Sequence, residues 1–245
     1  MRLLEIKAGG EFSLTEFLGN SIPPYAILSH TWGCAGDEVT FRDLVDNTGK
    51  DKVGYAKIQF CGRRATLDDL QYVWVDTCCI DKSSSAELTE AINSMFHWYQ
   101  NAARCYVYLP DVSVHDFDRT DRLWKSAFLQ SRWFSRGWTL QELIAPASVE
   151  FFSQEGERLG DKKSLEKEIT ETTEINVLAL RGNPLSNFSI AERMSWAAKR
   201  TTTRDEDNAY CLLGIFDVCM PSIYGEGKRR AFTRLNEEVN KSSKG

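Results

Sequence analysis

The chain has 245 residues, 42% hydrophobic and 27% charged, which suits one large globular domain better than two independent ones. Its net charge is −5, and no Lys/Arg block is longer than Lys228-Arg229-Arg230, so there is no electrostatic footprint for a nucleic-acid partner. The start, Met1-Arg-Leu-Leu-Glu-Ile-Lys7, lacks an apolar signal region, no run approaches the ~20 apolar residues of a membrane span, and the seven scattered cysteines contain no CxxC, so a soluble, cytoplasmic protein without a metal site is expected.

Leu3, Leu4 and Ile6 fit a short strand followed by a turn at Gly9-Gly10. Pro23-Pro24 forces an extended approach to Tyr25-Ala-Ile-Leu-Ser29, an apolar run with the length of a buried strand. It ends in His30-Thr-Trp-Gly33, and polar groups at the carboxyl end of a buried strand are where open α/β sheets bind ligands. Val39 to Leu44 fits a short strand or a helical turn, and Val53 to Leu70 is periodic as a helix with Asp68-Asp69 in the following turn. Tyr72-Val-Trp-Val-Asp-Thr-Cys-Cys-Ile80 is dense in β-branched and aromatic residues and reads as a strand. Asp76 and Asp81 stand toward its carboxyl end, and Cys78 and Cys79 would face opposite sides of it. Ser84-Ser-Ala-Glu87 is a capping-box pattern that opens an amphipathic helix with Leu88, Ile92, Met95, Phe96 and Tyr99 as its buried stripe and His97 off it.

Cys105 to Leu109 is the next strand, residues 111–130 are a polar excursion containing His115 and anchored by Trp124 and Phe128, and Val149 to Phe152 is a further strand. The resulting β-α-β-α-β-(α)-β order predicts an α/β fold with a parallel sheet flanked by helices on both faces. Past residue 153 the pattern is helical, over 165–170, 175–181, 190–199 with Ser189 as cap, 208–218 and 230–239, and Lys241 to Gly245 has the composition of a linker.

The stretch Ser131 to Pro146 carries the candidate chemistry. A helix starting near Trp138 places Trp138 and Glu142 on one face, where an acid beside an indole would line a pocket. Thr139-Leu-Gln-Glu142 equally fits a capping box, in which the Glu side chain serves only the helix end. Ser29, His30 and Trp32 after the first buried strand, Asp76 and Asp81 after the next, and Trp138 with Glu142 converge at the strand carboxyl ends. An acid and an indole there suit a cationic, sugar-bearing ligand. The bland alternative makes the tryptophans core and the acids caps or surface ion pairs. Gly225-Glu-Gly227 lacks the spacing of a phosphate loop, and no GxSxG elbow occurs.

Five motifs in order, Tyr25-Ala-Ile-Leu-Ser-His-Thr-Trp-Gly33, Val73-Trp-Val-Asp-Thr-Cys-Cys-Ile-Asp81, Ser135-Arg-Gly-Trp-Thr-Leu-Gln-Glu-Leu143, Arg204-Asp-Glu-Asp-Asn-Ala-Tyr-Cys-Leu-Leu-Gly214 and Tyr224-Gly-Glu-Gly227, resemble the fungal heterokaryon-incompatibility (HET) domain over nearly the whole chain. The start looks most like the N-terminal HET domain of the HET-E/HET-D type of incompatibility protein. In that type a NACHT-type NTPase and WD repeats follow, and the resemblance implies these downstream domains as partners. It also implies a HET domain over about residues 1–240 that triggers programmed cell death when different fungal individuals fuse. HET domains are held to be distant relatives of TIR domains, which implies a TIR-like, flavodoxin-like core over about residues 23–153, a helical extension over about 154–240 and a linker from residue 241. Trp138-Thr-Leu-Gln-Glu-Leu143 is similar to the Trp-Cys-x-x-Glu-Leu pattern whose Glu serves NAD+ cleavage in TIR domains, with Thr139 in place of the Cys. By that resemblance Glu142 is catalytic, Ser29, His30, Trp32 and Trp138 surround the ligand, and Asp76 and Asp81 orient loops or bind ribose hydroxyls. NAD+ is then a substrate rather than a cofactor, and activity needs self-association. The competing expectation is a non-catalytic death-signalling module that recruits partners through its surface.

Overall fold

The computed structural model describes residues 1–19, 21–34, 36–114 and 122–242; His115, most of the 111–130 excursion's first half and residues 243–245 of the expected linker lie outside them. Strands β1 (Arg2–Ile6), β2 (Phe12–Glu16), β3 (Tyr25–His30), β4 (Tyr72–Trp74), β5 (Arg104–Tyr108), β6 (Val149–Phe152) and β7 (Arg158–Asp161) form one sheet in the order β2-β1-β4-β3-β5-β6-β7. The expected parallel sheet is its centre, where β4, β3, β5 and β6 pair in parallel. Antiparallel strands extend it at both sides: β1 and β2 beyond β4, and β7 beyond β6. Numbered in chain order, the parallel strands lie second-first-third-fourth, the flavodoxin-like arrangement.

All six residues of β3 are buried, as a parallel strand covered on both faces requires. The chain leaves β3 through α1 (Phe41–Val45) and α2 (Tyr55–Leu67) to β4 on one side, then returns through α3 (Ser85–Asn101) to β5 on the other. Right-handed crossovers in opposite directions put α2 and α3 on opposite faces of the sheet. Of the expected α3 stripe Ile92, Met95, Phe96 and Tyr99 are buried, with Ala91 beside them, whereas Leu88 in the first turn is half-buried, and His97 is exposed. Ser84 caps that helix by accepting from Glu87 N.

The strand expected over Tyr72–Ile80 ends at Trp74. Val75 O accepts from both Cys78 N (3.2 Å) and Cys79 N (2.9 Å), and Val75 N donates to Cys79 Sγ (3.4 Å), which folds residues 75–80 into a turn. Cys78 and Cys79 are therefore both buried core thiols and do not straddle a strand. Val39–Leu44 resolves as a helical turn, with Thr40 and Asp43 forming the capping box of α1.

After α4 (Arg122–Gln130), α5 (Thr139–Ile144) and the β6–β7 hairpin come α6 (Glu166–Thr173), α7 (Val177–Leu180), α8 (Ile190–Ser195), α9 (Asp207–Tyr210), α10 (Leu213–Phe216) and α11 (Gly227–Ser242). The continuous helix expected over 208–218 is split into α9 and α10, and Asp217 at φ 54° ends the second. The helices dock on the sheet layer at two close approaches. A Cβ on Gly214 would sit 2.1 Å from Phe96 Cβ of α3, and Gly137 N donates to Thr201 O at 2.9 Å. Glu206 closes the late motif by accepting from Gly225 N (2.8 Å) and Gly227 N (2.9 Å).

Candidate functional site

Helix α5 carries Glu142, and its start is not a capping box. No side chain caps it at Trp138, and the Thr139 hydroxyl instead reaches Trp133 O (2.5 Å) and Arg136 O (2.9 Å). Glu142 points into the sheet, where its Oε2 accepts a hydrogen bond from Ser29 Oγ. Trp133 Nε1 in turn donates to Ser29 Oγ at 2.8 Å. The Tyr99 hydroxyl of α3 donates to Leu28 O at 3.2 Å and stands beside Glu142, on whose carboxyl it acts. The carboxyl group is thus enclosed by β3, α3 and the turn before α5, with Glu142 only 7% exposed. Burial pushes its pKa up to about 8, with the negative charge of Asp76 adding to the effect and the Ser29 hydrogen bond, the Tyr99 hydroxyl and the Arg200 charge opposing it. At neutral pH the carboxyl is therefore mostly protonated.

His30 follows Ser29 along β3, so its side chain turns to the opposite face of the sheet, the α2 side. There its imidazole is 1% exposed, with Nε2 3.8 Å from Asp76 Oδ1 and 3.9 Å from Glu38 Oε2. Neither ring nitrogen has a hydrogen-bond partner among the described residues. Burial, then the positive charge of Lys57, hold its pKa down to about 3, so the ring is neutral. Lys57 of α2 secures this corner by donating to Thr31 O (3.0 Å) and Glu38 Oε1 (2.5 Å). Asp76 connects the two faces, since it stands beside His30 and also acts on Glu142.

Trp32 lies above, 48% exposed, with its Nε1 donating to Asp76 Oδ2 at 2.9 Å and the Lys82 ammonium 3.7 Å from its ring centroid. Its face therefore already holds a cation. It opens on a cleft of about 1040 Å³ whose lining includes Glu38, Asp81, Lys82, Arg132 and Arg136, at the carboxyl ends of β3 and β4. Ser29, His30 and Glu142 do not line this cleft. Asp81 does, but its carboxylate is engaged by Ser83 N (3.0 Å) and Ser83 Oγ (2.6 Å), which keep its pKa below the usual range and fix the loop. No group of three or more His, Cys, Asp or Glu among the described residues is placed to hold a metal ion.

The predicted residues thus separate into a buried Ser29–Glu142 pair, a buried His30 beside the half-buried Asp76 on the other face, and Trp32 and Asp81 at the cleft. Trp138 joins none of these, because its indole stands by Asp207 of α9, whose pKa it helps to hold down against burial. The indole that serves the Glu142 pair is Trp133. No spacing rule singles out Trp133, since its contact with Ser29 spans 104 residues.

The α/β domain thus holds a buried carboxyl beneath the carboxyl end of its central strand and an open cleft at the carboxyl ends of β3 and β4. Residues 25–124 match the family model described as Heterokaryon incompatibility protein (HET). The "Vegetative incompatibility protein HET-E-1" of Podospora anserina is 58% identical over 243 residues, which is 98% of this chain and 18% of that protein. The chain belongs to the HET family. It spans only 18% of the length of the curated relative it matches. No solved structure matches it. No described helix is long and apolar enough to cross a membrane.

Proposed function

We propose that this chain is the cell-death effector domain of a cytoplasmic vegetative incompatibility protein and that it acts by TIR-like cleavage of NAD+ once self-associated. The downstream NACHT and WD-repeat domains of the relatives' architecture would drive that assembly. The observation that carries the reading is the placement of Glu142. The residue does not cap its own helix but reaches across 113 residues of sequence to Ser29 at the carboxyl end of the central strand. In the reaction, the bond from ribose C1′ to the pyridinium nitrogen breaks and its electron pair leaves with neutral nicotinamide. The Glu142 carboxylate faces the cationic carbon, and water adds there and loses a proton, giving ADP-ribose. The positive pyridinium favours the ionised carboxylate, so ligand entry itself converts the protonated acid of the empty site. The half-exposed Trp32 would stack an aromatic ring of the ligand at the cleft, and Arg132 and Arg136 suit the diphosphate.

The second reading, a non-catalytic recruiting module, is favoured by one observation: Glu142 does not line the cleft. The two readings separate in fungal cells that express the full-length protein. On the enzymatic reading, NAD+ falls before viability and Glu142→Gln abolishes both losses. Killing by Glu142→Gln at the wild-type rate, with NAD+ intact, would leave the recruiting module.

A further inference from the structure

We infer that Arg200, in the helical extension, is a positioning residue for Glu142: its guanidinium holds the start of α5 and supplies the positive charge that the Glu142 carboxylate meets on ionising. Arg200 is 7% exposed and lies just before the Thr201 pairing that joins the extension to the sheet layer. Its Nη1 donates to Arg136 O (2.9 Å) and Thr139 Oγ1 (2.8 Å), and its Nε to Trp196 O (3.3 Å). Its Nη2 is buried without a hydrogen-bond partner among the described residues. A buried guanidinium without an anion is costly, because the lost hydration is not replaced. The ionisable groups that act on it are Cys211 and Glu142, and burial keeps the Cys211 thiol neutral by pushing its pKa up to about 12. Glu142, once ionised, is therefore the carboxylate that balances it.

A continuous set of contacts joins the two. Arg200 holds Thr139, Thr139 reaches Trp133 O, the Trp133 indole donates to Ser29, and Ser29 donates to Glu142. The other groups facing Glu142 are Tyr99 from α3, a hydrogen-bonding phenol; Cys105 from β5, a thiol kept neutral by burial; and Asp76, a negative charge that opposes ionisation. Among these Arg200 is the positive group. A Lys could not serve equally, since the guanidinium holds the Arg136 carbonyl and the Thr139 hydroxyl through Nη1 and the Trp196 carbonyl through Nε, two nitrogens where an ammonium has one. The helical extension is then a working part of the site and not an appendage. The consequence for catalysis rests on the reading of Glu142 as the reactive carboxylate, but the coupling itself does not.

The test is a titration of the Glu142 carboxyl by carbon-13 NMR, assigned by its absence in Glu142→Gln, in the whole chain and in Arg200→Met, Arg200→Gln and Arg200→Lys. Circular dichroism monitors the fold of each. The expected result is a Glu142 midpoint raised by about one pH unit, tenfold in proton affinity, in the two neutral variants, with most of the shift restored in Arg200→Lys. Arg200→Gln keeps a donor for Thr139 and decides the matter if Arg200→Met fails to fold. An unchanged midpoint in a folded neutral variant would overturn the inference. A wild type that cleaves no NAD+ yet shows the shift sinks the catalytic reading and leaves the coupling in place.

Discussion

Replacing Glu142 by Gln should change how stability depends on pH, in a window set by two buried groups of opposite sign. The Glu142 pKa is raised from 4.5 to about 8 in the folded protein, so between those values the folded state holds a proton that the unfolded state has released. Its contribution to stability is complete below pH 4.5 and is lost as pH rises toward 8, by about 1.4 kcal/mol per unit. His30 does the reverse. Its pKa is lowered from 6.5 to about 3, so stability is gained as pH rises through that interval and is complete above 6.5. The two slopes oppose each other between pH 4.5 and 6.5, and the Glu142 slope stands free between 6.5 and 8. Over that free window the wild type should lose about 2 kcal/mol relative to Glu142→Gln, whose amide keeps an acceptor for Ser29 and carries no proton to lose. Urea unfolding at half-unit pH steps reads the difference through the midpoint at constant m. Parallel profiles for wild type and Glu142→Gln from pH 6.5 to 8 would refute the reasoning, because they would mean that the carboxyl is already ionised in the folded state.

Trp133→Phe removes the donor to buried Ser29 Oγ and leaves a cavity where the fully buried indole was larger than a phenyl ring, and should cost about 2–4 kcal/mol in urea unfolding. Gly214→Ala puts a Cβ 2.1 Å from Phe96 Cβ and should cost about 1–3 kcal/mol, seen as a lowered melting temperature as α10 is forced off α3. Trp32→Ala, at a half-exposed position, should change stability by less than about 0.5 kcal/mol. In a Glu142→Gln background, where binding is measured without turnover, it should weaken NAD+ binding about tenfold by calorimetry, the loss of one stacking face.

Much of the framework was legible because local rules determine it. β3 is a continuous apolar run and is buried throughout, and the α3 stripe repeats every three or four residues. The failures have equally physical causes. Val75 to Ile80 has strand composition, but hydrogen bonds to Val75 O close it into a turn, an outcome that propensity does not encode. Strands β2 and β7 carry no apolar run and exist because β1 and β6 offer them partners. In the site, Glu142 was legible as an acid after a strand, but its partner was not, since Ser29 is 113 residues away. Helical spacing favoured Trp138 as the neighbouring indole, whereas the late helices draw Trp138 to Asp207 and leave the role to Trp133. The separation of Ser29 from His30 follows from strand alternation alone and was available in the sequence.

Nicotinamide release from NAD+ by the purified, assembled protein, wild type beside folded Glu142→Gln, tests the account most directly. The account predicts release by the wild type, in step with self-association, and loss of at least about a hundredfold in Glu142→Gln, the scale expected when transition-state charge loses its counter-charge. Equal release by both proteins would take the chemistry away from Glu142, and no release by the wild type in any assembled state would contradict the enzymatic reading altogether.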